Sequence, residues 1–204
     1  EFTVFTPDLP GHVAGSGASH DTVAGYADAI ADSLPEGPII LVGHSLGGLI
    51  SCELTARDLG IDGIITLGTG AAMTVNEELL TTARNTPVYA MAPIRKWSLH
   101  RDAAEDQRAQ LENSTSHEAV EAVFDDLTAC TTYFDAPARL ATFGGPALIV
   151  IGDQDRMVPR EQAEKLAAAS PTARLVIIEN SGHTPQITQP DTVVSLITNF
   201  VTAE

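Results

Sequence analysis

Basic residues are scarce in this 204-residue chain: 11 lysines and arginines stand against 27 aspartates and glutamates, for a formal net charge of -16. Such a field repels phosphate backbones and anionic bilayer surfaces, so neither nucleic acid nor a membrane is an expected partner. An acidic surface also serves solubility, and it names no substrate. Cysteine is nearly absent too. Cys52 and Cys130 lie far apart without metal-like spacing, and they read as packing residues of a reduced, cytoplasmic compartment rather than as a disulfide. No apolar run approaches the roughly 18 residues of a membrane span, and the residues from Glu1 onward do not read as a secretory leader, so a protein without a membrane span is the expectation. The six histidines, His12, His20, His44, His100, His117 and His183, are not paired with cysteines or carboxylates at ligand spacing, so no metal and no cofactor is expected.

Short aliphatic or β-branched runs recur at residues 2–6, 39–42, 63–67, 147–151 and 174–178. Most are continuously apolar, the pattern of strands covered on both faces of a parallel sheet. Helical patterns alternate with them at residues 21–33, 46–59, 160–169 and 191–202, which predicts an α/β fold. The interval 75–141 breaks this rhythm, with charged helical stretches at 77–84, 103–112 and 117–128 and no convincing strand. It is too long for a connection, and it is expected to be a helical insertion over the carboxyl edge of a core formed by residues 1–74 and 142–204.

The most informative segment is Gly43-His44-Ser45-Leu46-Gly47-Gly48, between an apolar run and a helical pattern. A serine on a sharp strand-to-helix turn has its hydroxyl lifted above the sheet as a nucleophile. Side chains at Gly43 and Gly47 are expected to collide where strand and helix cross, and Ser45 itself is expected in a strained backbone region. A nucleophilic serine needs a base and an acid. After the run 147–151 comes Gly152-Asp153-Gln154-Asp155, and after 174–178 comes Asn180-Ser181-Gly182-His183-Thr184-Pro185. Both follow strands, where a parallel sheet presents polar groups to a ligand. His183 is the expected base. The acid is Asp155 or Asp153; Asp155 is favoured because it lies farther out, while Asp153 is placed to brace the turn.

These motifs, with Pro7-Asp8-Leu9-Pro10-Gly11-His12 and Gln189-Pro190, resemble the α/β-hydrolase superfamily from residue 2 to the C-terminus. Leu67-Gly68-Thr69-Gly70-Ala71-Ala72-Met73 and Ala129-Cys130-Thr131-Thr132-Tyr133 are similar to small bacterial esterase-like members with a helical cap. The resemblance implies Ser45 as nucleophile, Asp155 as acid, His183 as base and the Leu46 N–H as an oxyanion donor. It implies structural roles for Asp8 and His12, and a packing role for His44, pointing away from the site. It also implies a serine hydrolase of a small ester, thioester or lactone, with a small acyl molecule as partner. Met73, Met91, Trp97, Leu99, Phe124 and Tyr133 are read as packing of the insertion rather than as an acyl pocket.

One departure matters. The resemblance implies a second oxyanion donor from a His-Gly loop after an earlier strand, and about three strands before residue 2; this sequence has neither. One of those strands belongs between the runs 2–6 and 39–42. Either the sequence is a portion of a longer chain, or a second polypeptide supplies the strands, or the two runs pair directly. The first is the expectation, since no methionine opens the sequence. The alternative functions are a hydrolase-fold binding protein with little or no turnover, and a fragment active only on complementation.

Overall fold

The computed structural model describes residues 3–14 and 16–202. Four of the apolar runs form strands β1 Ile39–His44, β2 Ile61–Leu67, β3 Ala147–Gly152 and β4 Ala173–Ile178, all parallel and adjacent in chain order. The helices are α1 Val23–Ala31, α2 Leu46–Leu54, α3 Glu77–Asn85, α4 Pro87–Ser98, α5 Glu105–Asn113, α6 His117–Thr132, α7 Ala136–Phe143, α8 Arg160–Ala168, α9 Pro185–Thr188 and α10 Pro190–Thr202.

Alternation along each strand explains why the runs are apolar throughout. Ile64, Ala147, Ile149 and Ile151 face a core with α1, α2, α7 and α8. Their neighbours Ile65, Leu67, Leu148 and Val150 face α10, through Val193, Leu196 and Phe200. Side chains of period two have no solvent face when both sheet surfaces are covered.

The expected first strand is not formed. Phe2 lies outside the described residues, and residues 3–6 carry no strand pairing, with Val4 83% and Phe5 51% exposed. Direct pairing of residues 3–6 with β1 is therefore not what this structure contains. Among the described residues β1 is an edge strand, and Val42 on it is 46% exposed. A groove of about 220 Å³ separates the two, with Thr3, Phe5 and Pro7 on one bank and Ile40 and Val42 on the other. A strand is held by the backbone ladder of a neighbour, and here the nearest ladder stands across that groove.

Helices α3 to α7 occupy the interval between β2 and β3. Leu79, Ala83, Ala90, Val123 and Leu127 form a core of their own, joined by Met91, Trp97 and Phe124. By contrast, Ala136 and Leu140 of α7, together with Ala129 and Cys130 of α6, belong to the main core. Local chemistry starts these helices: the side chains of Asn76 and Ser116 accept the N–H groups of Leu79 and Ala119 at 2.8 and 2.9 Å, and Pro87 sits at the first position of α4.

The loop before α1 grips α6 through Asp126. Its two carboxylate oxygens accept from His12 Nε2 at 3.0 Å and from the Tyr26 hydroxyl at 2.6 Å. Ser19 donates to the adjacent Asp125, and the Ser116 hydroxyl donates to the His12 carbonyl at 2.6 Å. The hydrogen bond to Asp126 raises the His12 pKa, partial burial opposes it, and the Asp126 charge and the Pro10 carbonyl add to the rise. A raised folded-state value means that the pair's stabilisation is complete below the unfolded value of about 6.5 and is lost as pH climbs through the folded value. Thermal unfolding of Asp126→Asn against the parent is therefore expected to show its largest gap near pH 5.5 to 6 and a smaller one at pH 9. A gap constant across that range would remove His12 ionisation from the account.

Candidate active site

The residues flanking Ser45 are held by close backbone crossing. A Cβ on Gly43 would stand 2.2 Å from the Gly47 carbonyl oxygen and 2.6 Å from the Gly48 nitrogen. Gly47, in contrast, has open space at its Cβ position, contrary to the expected collision there; Gly48 is the second constrained glycine, with Thr69 Oγ1 at 2.1 Å from its Cβ position. The reason is directional. Gly47 lies in the first turn of α2 with its Cβ direction facing away from the crossing, while Gly48 faces the end of β2. Ser45 has φ 53° and ψ -117°, a left-handed conformation that L residues rarely adopt. Its N–H donates to the Leu67 carbonyl at 2.8 Å, and its own carbonyl accepts from Thr69 Oγ1 at 3.0 Å, so both peptide groups of the strained residue are tied to the end of β2 and the turn that follows it.

From this perch the Ser45 hydroxyl lies 3.0 Å from His183 Nε2, and His183 Nδ1 lies 2.9 Å from Asp155 Oδ2. The carboxylate can only accept, so Nδ1 carries the proton and Nε2 accepts from the hydroxyl. The His183 and Asp155 side chains are 2% and 1% exposed. Burial works against ionisation of Asp155, but the His183 ring and the backbone N–H groups of Val158 and Met157, which donate to Oδ1 at 2.9 and 2.8 Å, hold its pKa below the usual carboxylate range. Asp153 lies elsewhere: its Oδ1 accepts the Ser181 N–H at 3.1 Å, joining the turn after β3 to the loop after β4.

Leu46 is the first residue of α2, and its N–H makes no hydrogen bond among the described residues. His44 does more than pack. Its Nε2 donates to the His183 carbonyl at 2.9 Å, and the ring centroids are 4.9 Å apart. Burial, and after it the neighbouring His183, push the His44 pKa down to about 3, so the ring stays a neutral donor. His44 and Thr69 are the two polar contributors that the sequence did not single out for this site. Thr69 falls one residue past a glycine at a strand end, within the segment 67–73 already noted for its resemblance, and those two placements were its signals. Gly68, with φ 61°, allows the close approach, since a Cβ there would meet the His183 carbonyl oxygen at 2.7 Å.

The aromatic and methionine residues divide as packing. Met91, Trp97 and Phe124 pack in the core of α3, α4 and α6, while Met73 and Tyr133 pack in the main core. Both cysteines are buried and unpaired, and burial pushes each thiol up to about 12. Among the described residues no group of three or more His, Cys, Asp or Glu side chains is arranged to hold a metal ion, and no helix is long and apolar enough to cross a membrane.

A hydrogen-bonded serine, histidine and carboxylate at the ends of three parallel strands accompany a match of residues 1–196 to the alpha/beta hydrolase family. The chain belongs to that family. Among curated members, a pimeloyl-[acyl-carrier protein] methyl ester esterase of Aromatoleum aromaticum is 28% identical over 222 positions, covering 97% of this chain and 87% of that protein. Its namesake from Neisseria meningitidis is 27% identical, over 95% of this chain and 81% of that one. Among solved structures, the enol-lactonase from Burkholderia xenovorans superposes with a TM-score of 0.84 at 22% identity, over 96% of this chain and 79% of its own. At that identity the likeness speaks for the fold.

Proposed function

We propose that this chain is a serine hydrolase that cleaves a small ester, thioester or lactone through an acyl-enzyme. The observation that carries the reading is the unbroken hydrogen-bonded path from Ser45 through His183 to Asp155. Esterases among its curated relatives support a carboxylic ester as the bond attacked.

In this mechanism Ser45 Oγ attacks the carbonyl carbon while His183 Nε2 takes the hydroxyl proton. Asp155 holds the Nδ1–H and balances the imidazolium charge. The tetrahedral oxyanion accepts from the Leu46 N–H at the start of α2, where the helix dipole also favours negative charge. Collapse breaks the bond to the leaving alcohol or thiol, which departs with the proton from Nε2. Water then gives a proton to Nε2 as it attacks the acyl-enzyme; the acid leaves and Ser45 recovers its proton. Helices α3 to α6 act as the cap that shapes the acyl pocket over the strand ends.

Fluorophosphonate labelling tests this reading. Ser45 is expected to be phosphonylated, with labelling abolished in Ser45→Ala; labelling that survives the substitution would sink the assignment. A series of p-nitrophenyl esters of increasing chain length then reads the length of the pocket.

Among the described residues β1 is an edge strand and no His-Gly loop faces the Leu46 N–H; a second reading, a binding protein with slow turnover, follows where no second donor is supplied. One absent oxyanion donor costs about 100- to 1000-fold in turnover. The remaining alternative, a fragment active on complementation, differs from the second reading: there a strand supplied by preceding sequence or by a second chain fills the groove beside β1 and brings the second donor with it.

A further inference from the structure

The last turn of α4 touches both loops that carry the acid and the base. The Ser98 carbonyl accepts two hydrogen bonds from Thr184, from its N–H at 3.1 Å and from its hydroxyl at 3.0 Å. On the other side of His183, the backbone of residues 98–100 presses on Gly182: a Cβ there would stand 2.6 Å from the His100 nitrogen, 2.7 Å from the Leu99 carbonyl carbon and 2.9 Å from the Ser98 oxygen. Both neighbours of His183 are thus set against one turn of α4. That turn also meets the acid loop. The Ser98 hydroxyl, which donates to the Ile94 carbonyl at 2.8 Å, has Met157 Sδ at 3.7 Å, and Arg156 Nη1 donates to the Lys96 carbonyl at 3.3 Å. Met157 in turn supplies one of the backbone N–H groups held by Asp155.

The placement is unusual because α4 does not belong to the main core. Its Ala90, Met91, Ile94 and Trp97 pack with α3 and α6 in the separate core of the insertion. His183 is therefore located from two sides: His44 in the sheet holds its carbonyl, and the insertion packs on Gly182 before it and bonds Thr184 after it. Thr184 is 3% exposed, so its hydroxyl exchanges this partner for no water.

We infer that Thr184 is a positioning residue, and that through it the seating of α4 sets the alignment of His183 with Ser45. The inference rests on the reading of Ser45, His183 and Asp155 as the reacting groups. It makes the insertion a mechanical part of the active centre: a ligand or a substitution that lifts α4 draws on the base loop through Ser98 and lowers the reactivity of the serine. Displacement of a reacting group by even 1 Å costs on the order of 100-fold in rate, so partial loosening is readable.

The test is the second-order rate of fluorophosphonate labelling at Ser45, measured on the full chain with thermal unfolding in parallel. Thr184→Val keeps the branched shape and removes the hydroxyl; labelling is expected to slow about tenfold while the unfolding midpoint stays within a few degrees. Thr184→Ser restores the donor and is expected to return the rate to within about twofold of the parent. Should the valine variant fail to fold, Thr184→Ala against Thr184→Ser makes the same comparison, with serine faster by about tenfold. Parental labelling of Thr184→Val, or equal rates for the variants with and without the hydroxyl, overturns the inference. Ser45→Ala in the same series separates the two claims: labelling that survives it removes the triad reading, whereas an inert Ser45→Ala beside a fully reactive Thr184→Val removes only the positioning role.

Discussion

Asp155→Asn is expected to lower kcat/KM for a reactive aryl ester by about 1000- to 10,000-fold, while Asp153→Asn stays within about threefold of the parent. The two carboxylates are separated by one residue and differ in what they touch. Asp155 Oδ2 accepts from His183 Nδ1, and its Oδ1 accepts two backbone N–H groups. An asparagine there presents no charge to the imidazolium, and its amide donors turn the ring toward the wrong tautomer, in which Nε2 is already protonated and cannot take the Ser45 proton. Asp153 accepts only the Ser181 N–H through Oδ1, and an asparagine carbonyl can still accept it. Steady-state rates of both variants across pH 6 to 9 decide the matter; full activity in Asp155→Asn with collapse in Asp153→Asn would reverse the assignment.

Gly43→Ala is expected to destabilise the fold by about 3 kcal/mol or to prevent folding, whereas Gly47→Ala is expected to be neutral or to stabilise by up to about 1 kcal/mol. The added methyl at residue 43 meets the Gly47 carbonyl and the Gly48 nitrogen inside the first turn of α2, and backbone atoms cannot step aside as a flexible side chain can. At residue 47 nothing lies within 4 Å of the new atom, and alanine is the better helix former. Urea unfolding of the two variants measures the difference. Equal stabilities would show that the strand-to-helix crossing has more slack than its geometry allows.

What was legible in the sequence follows from how local each determinant is. Strands β2 and β3 were readable because a strand covered on both faces is almost continuously apolar, and β1 and β4, at the sheet's edges among the described residues, carry short aliphatic runs as well. The run at residues 2–6 has the same composition, yet its described residues 3–6 form no strand, because pairing depends on a neighbour that composition does not disclose. Helix α2 stops at Leu54 rather than at residue 59; there the Thr55 hydroxyl and Arg57 guanidinium bond to the Cys52 and Glu53 carbonyls, at 2.7 and 2.9 Å. Helix α4 went unread, since Pro87 and Pro93 both look like breaks. The first of them in fact starts the helix, where its missing N–H costs nothing.

By itself, the sequence determined the class of fold, the strained serine between glycines, and the pairing of a strand-end carboxylate with a strand-end histidine. These depend on short-range rules: side-chain period, glycine at crossings, and chain order. Only the tertiary structure decided that Asp155 rather than Asp153 reaches the ring, that Gly48 rather than Gly47 is sterically bound, and that His44 and the end of α4 hold His183 from opposite sides. Those outcomes turn on contacts between segments 28 to 139 residues apart for the hydrogen bonds that hold His183 and its loop, and on the crossing of α2 with the end of β2 for Gly48. Such contacts are set by how cores pack, and no local pattern records them.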